Sequence, residues 1–338
     1  MKVIVENHVP YIKGLLEPFA MVEYLPYCDI TANAVADADA LIIRTRTRCD
    51  AALLDGSRCK FIGSATIGTD HIDLEYCQSH GIAVHNAPGC NAPAVAQYVV
   101  STIGHLMRRD NIASPSSLTV GIIGVGHVGS IIARWANRIG FKVLLNDPPR
   151  HRAETDFDSV PLEEIAQKAD IITFHTPFTK IGDDATWHLC DDKFVNNLKH
   201  CRLLINSARG PITNTQALLK GLETGAIGNV AIDCWENEPG INLKLLDKAF
   251  VATPHIAGYS QEGKMRGTAM IVDAMNKHFG ISANVPVIAS PANGAMNVTL
   301  DGVINSYDPL ADTAKLKANP AQFEELRNHY PLRCETQA

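Results

Sequence analysis

The stretch Thr119-Val-Gly-Ile-Ile-Gly-Val-Gly-His-Val-Gly129 indicates the fold of this chain more directly than any other. Three of its glycines, Gly124, Gly126 and Gly129, follow a short apolar run and open a segment whose apolar residues recur with helical spacing. In such a strand–turn–helix the first glycine permits a tight turn, the second lets the backbone approach a pyrophosphate, and the third lets helix and strand pack closely. The stretch therefore predicts a dinucleotide-binding βαβ unit.

Further apolar runs of strand length follow this stretch along the chain. We expect strands at residues 119–123, 142–145, 170–174, 202–205, 229–232 and 250–252. Helical patterns at residues 162–169 and 215–222 separate several of them. Short, continuous apolar strands alternating with helices are typical of a parallel sheet that is covered on both faces. The sequence thus predicts an α/β, doubly wound domain of the Rossmann type.

The amino-terminal part of the chain repeats this alternation more weakly. Strand-like runs occur at residues 3–5, 40–43, 61–63 and 82–84, and a helical pattern at 74–80 precedes the last of them. These runs predict a second parallel-sheet domain, flavodoxin-like in type, with a cleft between the two domains. Two long helical patterns, at about 94–107 and 261–279, would carry the chain from one domain to the other and back.

Bulk composition excludes several classes of protein. The chain has 338 residues, of which 46% are hydrophobic and 20% charged, and a formal net charge of -6, so nothing favours a nucleic-acid partner. No apolar run approaches the ~20 residues that a membrane span requires. Nine scattered cysteines without a Cys-x-x-Cys pair favour free thiols in a reducing cytoplasm. We expect a cytoplasmic protein that contacts neither membranes nor nucleic acids.

The second predicted strand of the Rossmann domain ends at an acidic residue, Asp147, which is suitably spaced to bind the ribose hydroxyls of a dinucleotide. Its carboxylate would repel a 2′-phosphate, so NAD is favoured over NADP, although Arg150 and Arg152 follow closely and leave that preference open. Thr176 and Asp233 end two further strand-like runs and could also contact NAD. The alternative for each is a polar residue that merely caps a turn.

Three side chains with complementary chemistry lie just beyond later strand-like runs: Arg209, Glu238 and His255. Because parallel strands place their carboxyl ends at one edge, we expect these side chains to converge beside the cofactor. His255 could accept the proton of an alcohol, Glu238 could orient the imidazole and favour its protonated form, and Arg209 could clamp a carboxylate. Singly, each could be an ordinary solvated or capping residue. No metal site is predicted.

At this point the chain resembles the D-isomer-specific 2-hydroxyacid dehydrogenase family over at least residues 1–280. The resemblance rests on the glycine pattern and on three motifs: Asn206-Ser-Ala-Arg209-Gly210, Asp233-Cys-Trp-Glu-Asn-Glu238-Pro239 and Pro254-His255-Ile-Ala-Gly258. It implies that Arg209, Glu238 and His255 form the catalytic triad. It also implies cofactor contacts from Gly124, Gly126, His127, Val128, Gly129, Asp147, Thr176, Ser207, Ala208, Arg209, Asp233 and Gly258.

Other segments match a narrower group of the family, whose substrate carries a phosphate. By this resemblance Thr45, Thr66 and Tyr259 would contact the substrate. Independently, Arg44, Arg46 and Arg48 place three cations on alternate residues after a strand-like run, and hence on one face for as long as the strand persists. Guanidinium groups suit a phosphate dianion, so Arg44 and Arg46 are expected phosphate ligands. The alternative is a charged edge strand that discourages aggregation.

The predicted domains follow from these assignments. We expect residues 1–98 and 259–283 to form a discontinuous substrate-binding domain and residues 99–258 to form the NAD-binding domain. Residues 284–338 would form a short α+β element for dimerisation, with an early strand at Leu300-Asp-Gly and a later helix at 323–330. The resemblance implies a homodimer, although the corresponding part of the family is usually longer.

The sequence therefore predicts an NAD-dependent dehydrogenase that acts on a phosphorylated 2-hydroxy acid. Two alternatives stay open. One is a related substrate, such as 3-phosphoglycerate or glycerate. The other is a non-catalytic, NAD-sensing binding protein built on the same fold.

Overall fold

The computed structural model describes residues 1–288 and 297–336. Its strands are β1 (Lys2–Glu6), β2 (Met21–Leu25), β3 (Ala40–Ile43), β4 (Phe61–Ser64), β5 (Ala83–His85), β6 (Thr119–Ile123), β7 (Lys142–Asn146), β8 (Ile171–Phe174), β9 (Leu203–Asn206), β10 (Val230–Ile232) and β11 (Val251–Ala252).

The α-helices are α1 (Ala32–Val35), α2 (Ala51–Leu54), α3 (Leu74–Ser79), α4 (Ala92–Arg109), α5 (His127–Ile139), α6 (Pro148–Ala153), α7 (Leu162–Lys168), α8 (Asp192–Asn196), α9 (Thr215–Thr224), α10 (Leu243–Lys248), α11 (Gln261–Phe279), α12 (Leu300–Ser306), α13 (Pro309–Ala318) and α14 (Phe323–Asn328). Short 3-10 helices occur at Tyr27–Asp29, Pro115–Ser117, Gly210–Ile212 and Pro320–Gln322. None of the helices in the described ranges is long and apolar enough to cross a membrane.

The chain divides into two compact units. The first unit comprises residues 1–91 and 260–292, and the second comprises residues 92–259 and 293–338. The described part of the C-terminal segment is thus grouped with the second unit. Residues 289–296 and 337–338 of the predicted dimerisation element lie outside the described residues, and its role in dimerisation stays a prediction, as does the placement of one domain against the other.

The first unit is built on a five-stranded parallel sheet in the order β2-β1-β3-β4-β5. This is the strand order of flavodoxin-like sheets, the type that the sequence predicted for this unit. Helix α11 packs on β4, and the contact requires a glycine: a Cβ on Gly63 would overlap the Ile271 side chain. Apolar residues on both faces of the sheet are fully buried, as expected for strands covered on both sides.

The second unit contains a six-stranded parallel sheet in the order β11-β10-β9-β8-β6-β7. The chain leaves β6 for β7 on one side and returns to β8 on the other, so the strand order reverses between β6 and β8. Ligands of doubly wound sheets bind at such a reversal, outside the carboxyl ends of the strands. All six strands predicted for this domain are present, and no observed bound differs from the expected one by more than one residue.

Two expectations about local structure were incomplete or wrong. Strand β2 was not predicted, because its residues are partly exposed, with Met21 at 72%, and Glu23 interrupts the apolar run. The strand expected at Leu300 was wrong, because Thr299 caps a helix there by accepting a hydrogen bond from the Gly302 amide. That helix, α12, packs against α4 at Gly104, where a Cβ would meet the Ile304 side chain.

Candidate active site

The glycine-rich turn after β6 has the geometry that its sequence predicts. Gly124 has a positive φ of 86°, and a Cβ there would lie 2.7 Å from the backbone nitrogen of Thr176. A Cβ on Gly129 would overlap the carbonyl oxygen of Gly124, so helix α5 can approach β6 only with glycine at this position. Gly126 is different, because a Cβ there would meet nothing within 4 Å. The space beside Gly126, at the N-terminus of α5, is where an anionic pyrophosphate would be received.

Asp147 lies at the end of β7 and is bound to this turn. Its carboxylate accepts a hydrogen bond from the Val125 amide (2.8 Å) and another from the Arg150 amide (3.0 Å), which caps α6. The turn and the acid that we expect to bind the ribose are therefore held together by hydrogen bonds of the protein itself.

The two arginines that left the choice of cofactor open both have partners. Arg150 donates to Glu154 and to the Val125 carbonyl oxygen, each at 2.8 Å, and its guanidinium lies 4.2 Å from the centroid of the Phe157 ring. Arg152 pairs with Asp184. A 2′-phosphate would have to compete with these partners and with Asp147, so the local charges favour NAD.

Two buried hydroxyl groups test whether the site fits a dinucleotide. Within the described parts of the chain, neither Thr176 Oγ1 nor Ser207 Oγ has a hydrogen-bond partner, although both atoms are buried. Such atoms are costly unless a ligand or water satisfies them. Thr176 follows β8 and Ser207 follows β9, which are neighbouring strands next to the reversal of strand order. The open cradle at Gly126 and these two hydroxyls fit NAD, the cofactor that the sequence predicted.

The predicted catalytic residues follow three adjacent strands, β9, β10 and β11. His255 and Glu238 are in direct contact: the imidazole Nδ1 lies 2.8 Å from Oε2 and 3.1 Å from Oε1 of the carboxylate. Arg209 starts the Gly210–Ile212 turn after β9, and its guanidinium donates to the Ala208 carbonyl oxygen at 2.8 Å. Because Glu238 takes Nδ1, Nε2 is the ring nitrogen left for proton transfer.

The surroundings keep Glu238 ionised. Burial alone would raise the pKa of the Glu238 carboxyl, but the His255 imidazole, the Trp235 amide and the Arg327 guanidinium together hold it below its usual value. The Trp235 amide donates to Oε1 at 2.9 Å. A carboxylate that stays charged can orient the imidazole and stabilise its protonated form.

Asp233 has a structural role that its predicted contact with NAD did not include. Its carboxylate accepts hydrogen bonds from the Ile256 amide (2.7 Å), the Ala257 amide (3.1 Å) and the Thr253 hydroxyl (2.7 Å). The His255 amide donates to the Asp233 carbonyl oxygen at 3.0 Å, and His255 has a positive φ of 57°. Asp233 thus stabilises the unusual backbone of the turn that carries the histidine. Its contact with NAD stays a prediction.

Asn206, at the end of β9, is a site residue that the sequence analysis treated only as part of a motif. Its side chain is completely buried, and its amide donates to the carbonyl oxygen of Arg209 (2.9 Å) and to the Thr213 hydroxyl (3.1 Å). It also accepts from the Ala208 amide at 3.2 Å. A buried polar residue at the end of an apolar strand was the available signal, because such residues need several partners.

Two arginines of the C-terminal segment were missed altogether. Arg327 lies 3.7 Å from the Glu238 carboxylate, and Arg333 donates to the carbonyl oxygens of Ile256 and Tyr259, each at 3.1 Å. Nothing in their spacing distinguishes them from the exposed arginines elsewhere in the chain. Only the folded structure brings them to residues 255–259.

The substrate residues predicted in the first unit follow two neighbouring strands. Arg44, Thr45 and Arg46 come after β3, and Thr66 comes after β4, which pairs with β3 in parallel. Thr66 Oγ1 lies 2.8 Å from Ser64 Oγ, and the Arg44 amide donates to the buried Glu6 carboxylate at 2.8 Å. These residues therefore lie at the carboxyl edge of the first sheet, and their contact with substrate stays a prediction.

The expected arrangement of Arg44, Arg46 and Arg48 on one face of a strand is not formed. Strand β3 ends at Ile43, and the following residues form a turn, so alternate residues do not share a face. Arg44 reaches the His8 carbonyl oxygen, Arg46 lies over the Tyr27 ring, and Arg48 pairs with Asp50 at 2.6 Å. The three arginines do alternate in the sequence, but β3 ends at Ile43 and does not extend to Arg48, so the argument from a shared face fails.

Among the described residues, one group could hold a metal ion, namely Cys234, Glu238 and His255, whose ligand atoms lie within 4.8 Å of one another. Two of the three are the catalytic pair. The thiol is held protonated: burial raises the pKa of Cys234 well above its usual value, although Arg209 and Arg327 oppose the shift. Two nearby cations also disfavour a metal ion. We assign this group to the active site.

Comparisons with known proteins agree with this geometry. Residues 95–257 match the family model described as "D-isomer specific 2-hydroxyacid dehydrogenase, NAD binding domain". The chain is 45% identical to an erythronate-4-phosphate dehydrogenase from Bacteroides fragilis (strain YCH46), over 99% of this chain and 97% of that protein. It is 40% identical to the enzyme of the same name from Porphyromonas gingivalis, over 100% of this chain and 94% of that protein.

The fold is also shared with solved structures. The crystal structure of D-lactate dehydrogenase from Aquifex aeolicus, complexed with NAD and lactic acid, superposes with a TM-score of 0.67 and 24% identity, over 83% of this chain and 96% of that chain. At this identity the likeness concerns the fold alone. Taken with the curated relatives, the matches extend over both sheets and the C-terminal segment. The chain belongs to the D-isomer-specific 2-hydroxyacid dehydrogenase family, among the erythronate-4-phosphate dehydrogenases.

Proposed function

We propose that this protein oxidises the C2 hydroxyl of 4-phospho-D-erythronate to give (R)-3-hydroxy-2-oxo-4-phosphooxybutanoate, with NAD as the oxidant, in pyridoxine 5′-phosphate (vitamin B6) biosynthesis. The observation that carries the proposal is the contact between His255 and Glu238 at the edge of a sheet whose neighbouring strand ends fit NAD. The names of the relatives supply the identity of the acid.

The roles of the residues follow from their geometry. NAD, when bound, accepts the hydride that leaves C2 of the substrate. His255 takes the hydroxyl proton on Nε2, because its Nδ1 is hydrogen-bonded to Glu238. Glu238 stays ionised and stabilises the imidazolium that forms. Arg209 binds the substrate carboxylate and polarises the forming carbonyl oxygen.

The phosphate requires cations beyond the triad. We propose that Arg44 and Arg46, with the hydroxyls of Thr45, Thr66 and Tyr259, bind the substrate. Arginine side chains recognise phosphate through paired hydrogen bonds. These contacts would distinguish 4-phosphoerythronate from acids of similar size without a phosphate.

The experiment that tests this function is a panel of D-2-hydroxy acids, with the initial rate of NADH formation measured on the purified protein. The panel contains 4-phosphoerythronate, erythronate, 3-phosphoglycerate, glycerate and lactate. We expect 4-phosphoerythronate to have the highest kcat/KM, with the phosphate contributing ~100-fold or more through charge-assisted hydrogen bonds. A higher kcat/KM for any other acid on the panel would refute the assignment of the substrate.

We also propose a cytoplasmic homodimer. None of the nine cysteines, all of which lie within the described residues, forms a disulfide, and this supports a reducing compartment. The dimer follows from the family resemblance alone, and light scattering on the purified protein at micromolar concentration tests it. A monomeric mass under those conditions would contradict this part of the proposal.

A further inference from the structure

The C-terminal helix α14 is fixed on the second unit by apolar contacts. Phe323 is 1% exposed and belongs to the same core cluster as Leu316 of α13 and Trp235, which follows β10. Leu326 is partly buried and packs against this cluster. The anchored helix holds its next residue, Arg327, against the loops that follow β10 and β11.

Arg327 contacts two residues of the candidate active site. Its guanidinium lies 3.7 Å from Oε2 of Glu238, and the side chains are only 14% and 17% exposed. The guanidinium also interacts with the side chain of Tyr259. Burial works against a charged guanidinium, but Tyr259 and Glu238 outweigh it and raise the pKa of Arg327 above its usual value. The group therefore stays cationic beside the catalytic carboxylate.

Residues shortly after α14 hold the backbone of the same loop. Arg333 donates to the carbonyl oxygens of Ile256, Tyr259 and Ala257, and its guanidinium lies 4.2 Å from the centroid of the Tyr307 ring. The ring of Tyr330 meets that of Tyr259 edge to face at 6.2 Å. The turn that carries His255 and Tyr259 is thus held on one side by Asp233 and on the other by the C-terminal segment.

From this placement we infer that Arg327 is a positioning residue of the active site: it orients Glu238, and through it His255, and it fixes the side chain of Tyr259. The inference rests on the proposed function for the roles of these three residues. The geometry favours positioning over a merely stabilising ion pair, because one guanidinium is shared between a carboxylate and a phenol that belong to different loops.

The position of Arg327 has a consequence for protonation of the Glu238–His255 pair. The titratable and charged groups around the pair are Asp233, Cys234, Arg209, Tyr259 and Arg327. Arg327 lowers the pKa of Glu238 by its charge. Without that cation the pKa of the Glu238 carboxyl would be higher.

The test compares Arg327→Met with Arg327→Lys, and with Arg138→Met as the matched control. Arg138 is exposed near the far end of α5, where it donates to Asn297 at 2.8 Å. We expect Arg327→Met to lower kcat by ~10–100-fold through misplacement of the base, with KM changed by less than ~3-fold. We expect the acid limb of the kcat/KM profile to move up by roughly half a pH unit.

Arg327→Lys retains the charge but not the planar fork, so it should restore the acid limb to its wild-type position and recover part of kcat. Arg138→Met should leave both quantities unchanged. A rise in KM alone would instead make Arg327 a direct substrate ligand and overturn the inference. Equal losses in Arg327→Met and Arg327→Lys, in step with a lower melting temperature and without a shift of the acid limb, would reduce Arg327 to a structural role and also overturn it.

A readout without turnover separates this inference from the proposed function. The carboxyl carbons of glutamate are labelled with ¹³C, and the NMR signal of Glu238 is assigned by its disappearance in Glu238→Gln. When the pH is varied, the titration midpoint of the Glu238 signal should rise in Arg327→Met and not in Arg327→Lys. If the wild type turns over no acid on the panel, the proposed function fails, and this titration still decides the inference, because an unchanged midpoint in Arg327→Met overturns it.

Discussion

The loop after β3 in the first unit and the loops after β9, β10 and β11 in the second differ in how far the protein's own contacts fix their geometry. After β3, Arg44, Arg46 and Arg48 reach three different partners, and Arg48 is 83% exposed on its side chain. In the second unit, Glu238 and His255 are in contact, and buried residues hold each of their loops.

The two predicted tasks, proton transfer and phosphate binding, need different degrees of order. Proton transfer depends on a fixed distance between acid, base and substrate, so the second unit builds that distance in advance. A phosphate dianion attracts guanidinium groups over a longer range, and a turn of arginines can gather around it on binding.

The largest effect is expected from His255→Ala. Removal of the base should lower kcat by ~10²–10⁴-fold. Among the described residues that contact Glu238, His255 is the one that can accept a proton from the substrate. The melting temperature and the affinity for NAD should stay near those of the wild type. Complementation of a vitamin B6 auxotroph by His255→Ala as efficiently as by the wild type would favour the non-catalytic, NAD-sensing alternative instead.

The glycine turn offers a pair of substitutions that separates folding from cofactor binding. Gly129→Ala places a methyl group on the Gly124 carbonyl oxygen, and we expect a loss of about 3 kcal/mol in the free energy of unfolding. Gly126→Ala meets no protein atom within 4 Å, so its stability should be unchanged, while its Kd for NAD rises ~10-fold or more. Urea unfolding and NADH fluorescence titration measure the two quantities. Tight NAD binding by Gly126→Ala would place the pyrophosphate elsewhere.

Substitutions of the arginines that follow β3 should have a smaller effect, and this effect should be confined to KM. For Arg44→Ala or Arg46→Ala we expect KM for 4-phosphoerythronate to rise ~10–30-fold with kcat little changed, as when binding is lost equally in ground and transition states. Arg48→Ala is the control, because Arg48 already pairs with Asp50. Steady-state kinetics measure KM and kcat for each variant. An equal rise of KM in all three variants would instead support the shared face that the sequence predicted.

The smallest expected effect is on the pH dependence of stability. The pKa of Glu238 is lower in the folded protein than its usual value, so its ionised form stabilises the fold above that value and this contribution is lost as the pH falls through the folded pKa. Thermal unfolding of the wild type and Glu238→Gln should therefore differ more at pH 7 than at pH 4. If the difference in melting temperature between the two proteins instead grows toward pH 4, the carboxyl is not stabilised in its charged form.

The sequence predicted the parts of the molecule that depend on local patterns. The glycine turn, the six strands of the second sheet and helix α11 each carry a periodicity or a steric requirement that neighbouring residues reveal. The contact between Glu238 and His255 could be predicted as well, because parallel strands bring their carboxyl ends to one edge.

The parts that could not be predicted depend on contacts between distant residues or on the last residue of an element. Arg333 lies 76 residues from Ala257, and nothing local marks it as a partner. Strand β3 ends at Ile43 rather than a few residues later. The three arginines that follow it therefore reach different partners instead of sharing one face. Glu6, whose carboxylate accepts a hydrogen bond from the Arg44 amide, lies at the end of β1, and its sequence position does not reveal this partner.

The hydrogen bonds of Arg333 also have a consequence for the order in which the protein is made. During synthesis, all six strands of the second sheet leave the ribosome before α14 and Arg333 do. The sheet can therefore form while the carbonyl oxygens of residues 256, 257 and 259 still lack their partner. Because contacts distant in sequence close late, the nascent chain should acquire its cofactor fold before its catalytic turn is fixed.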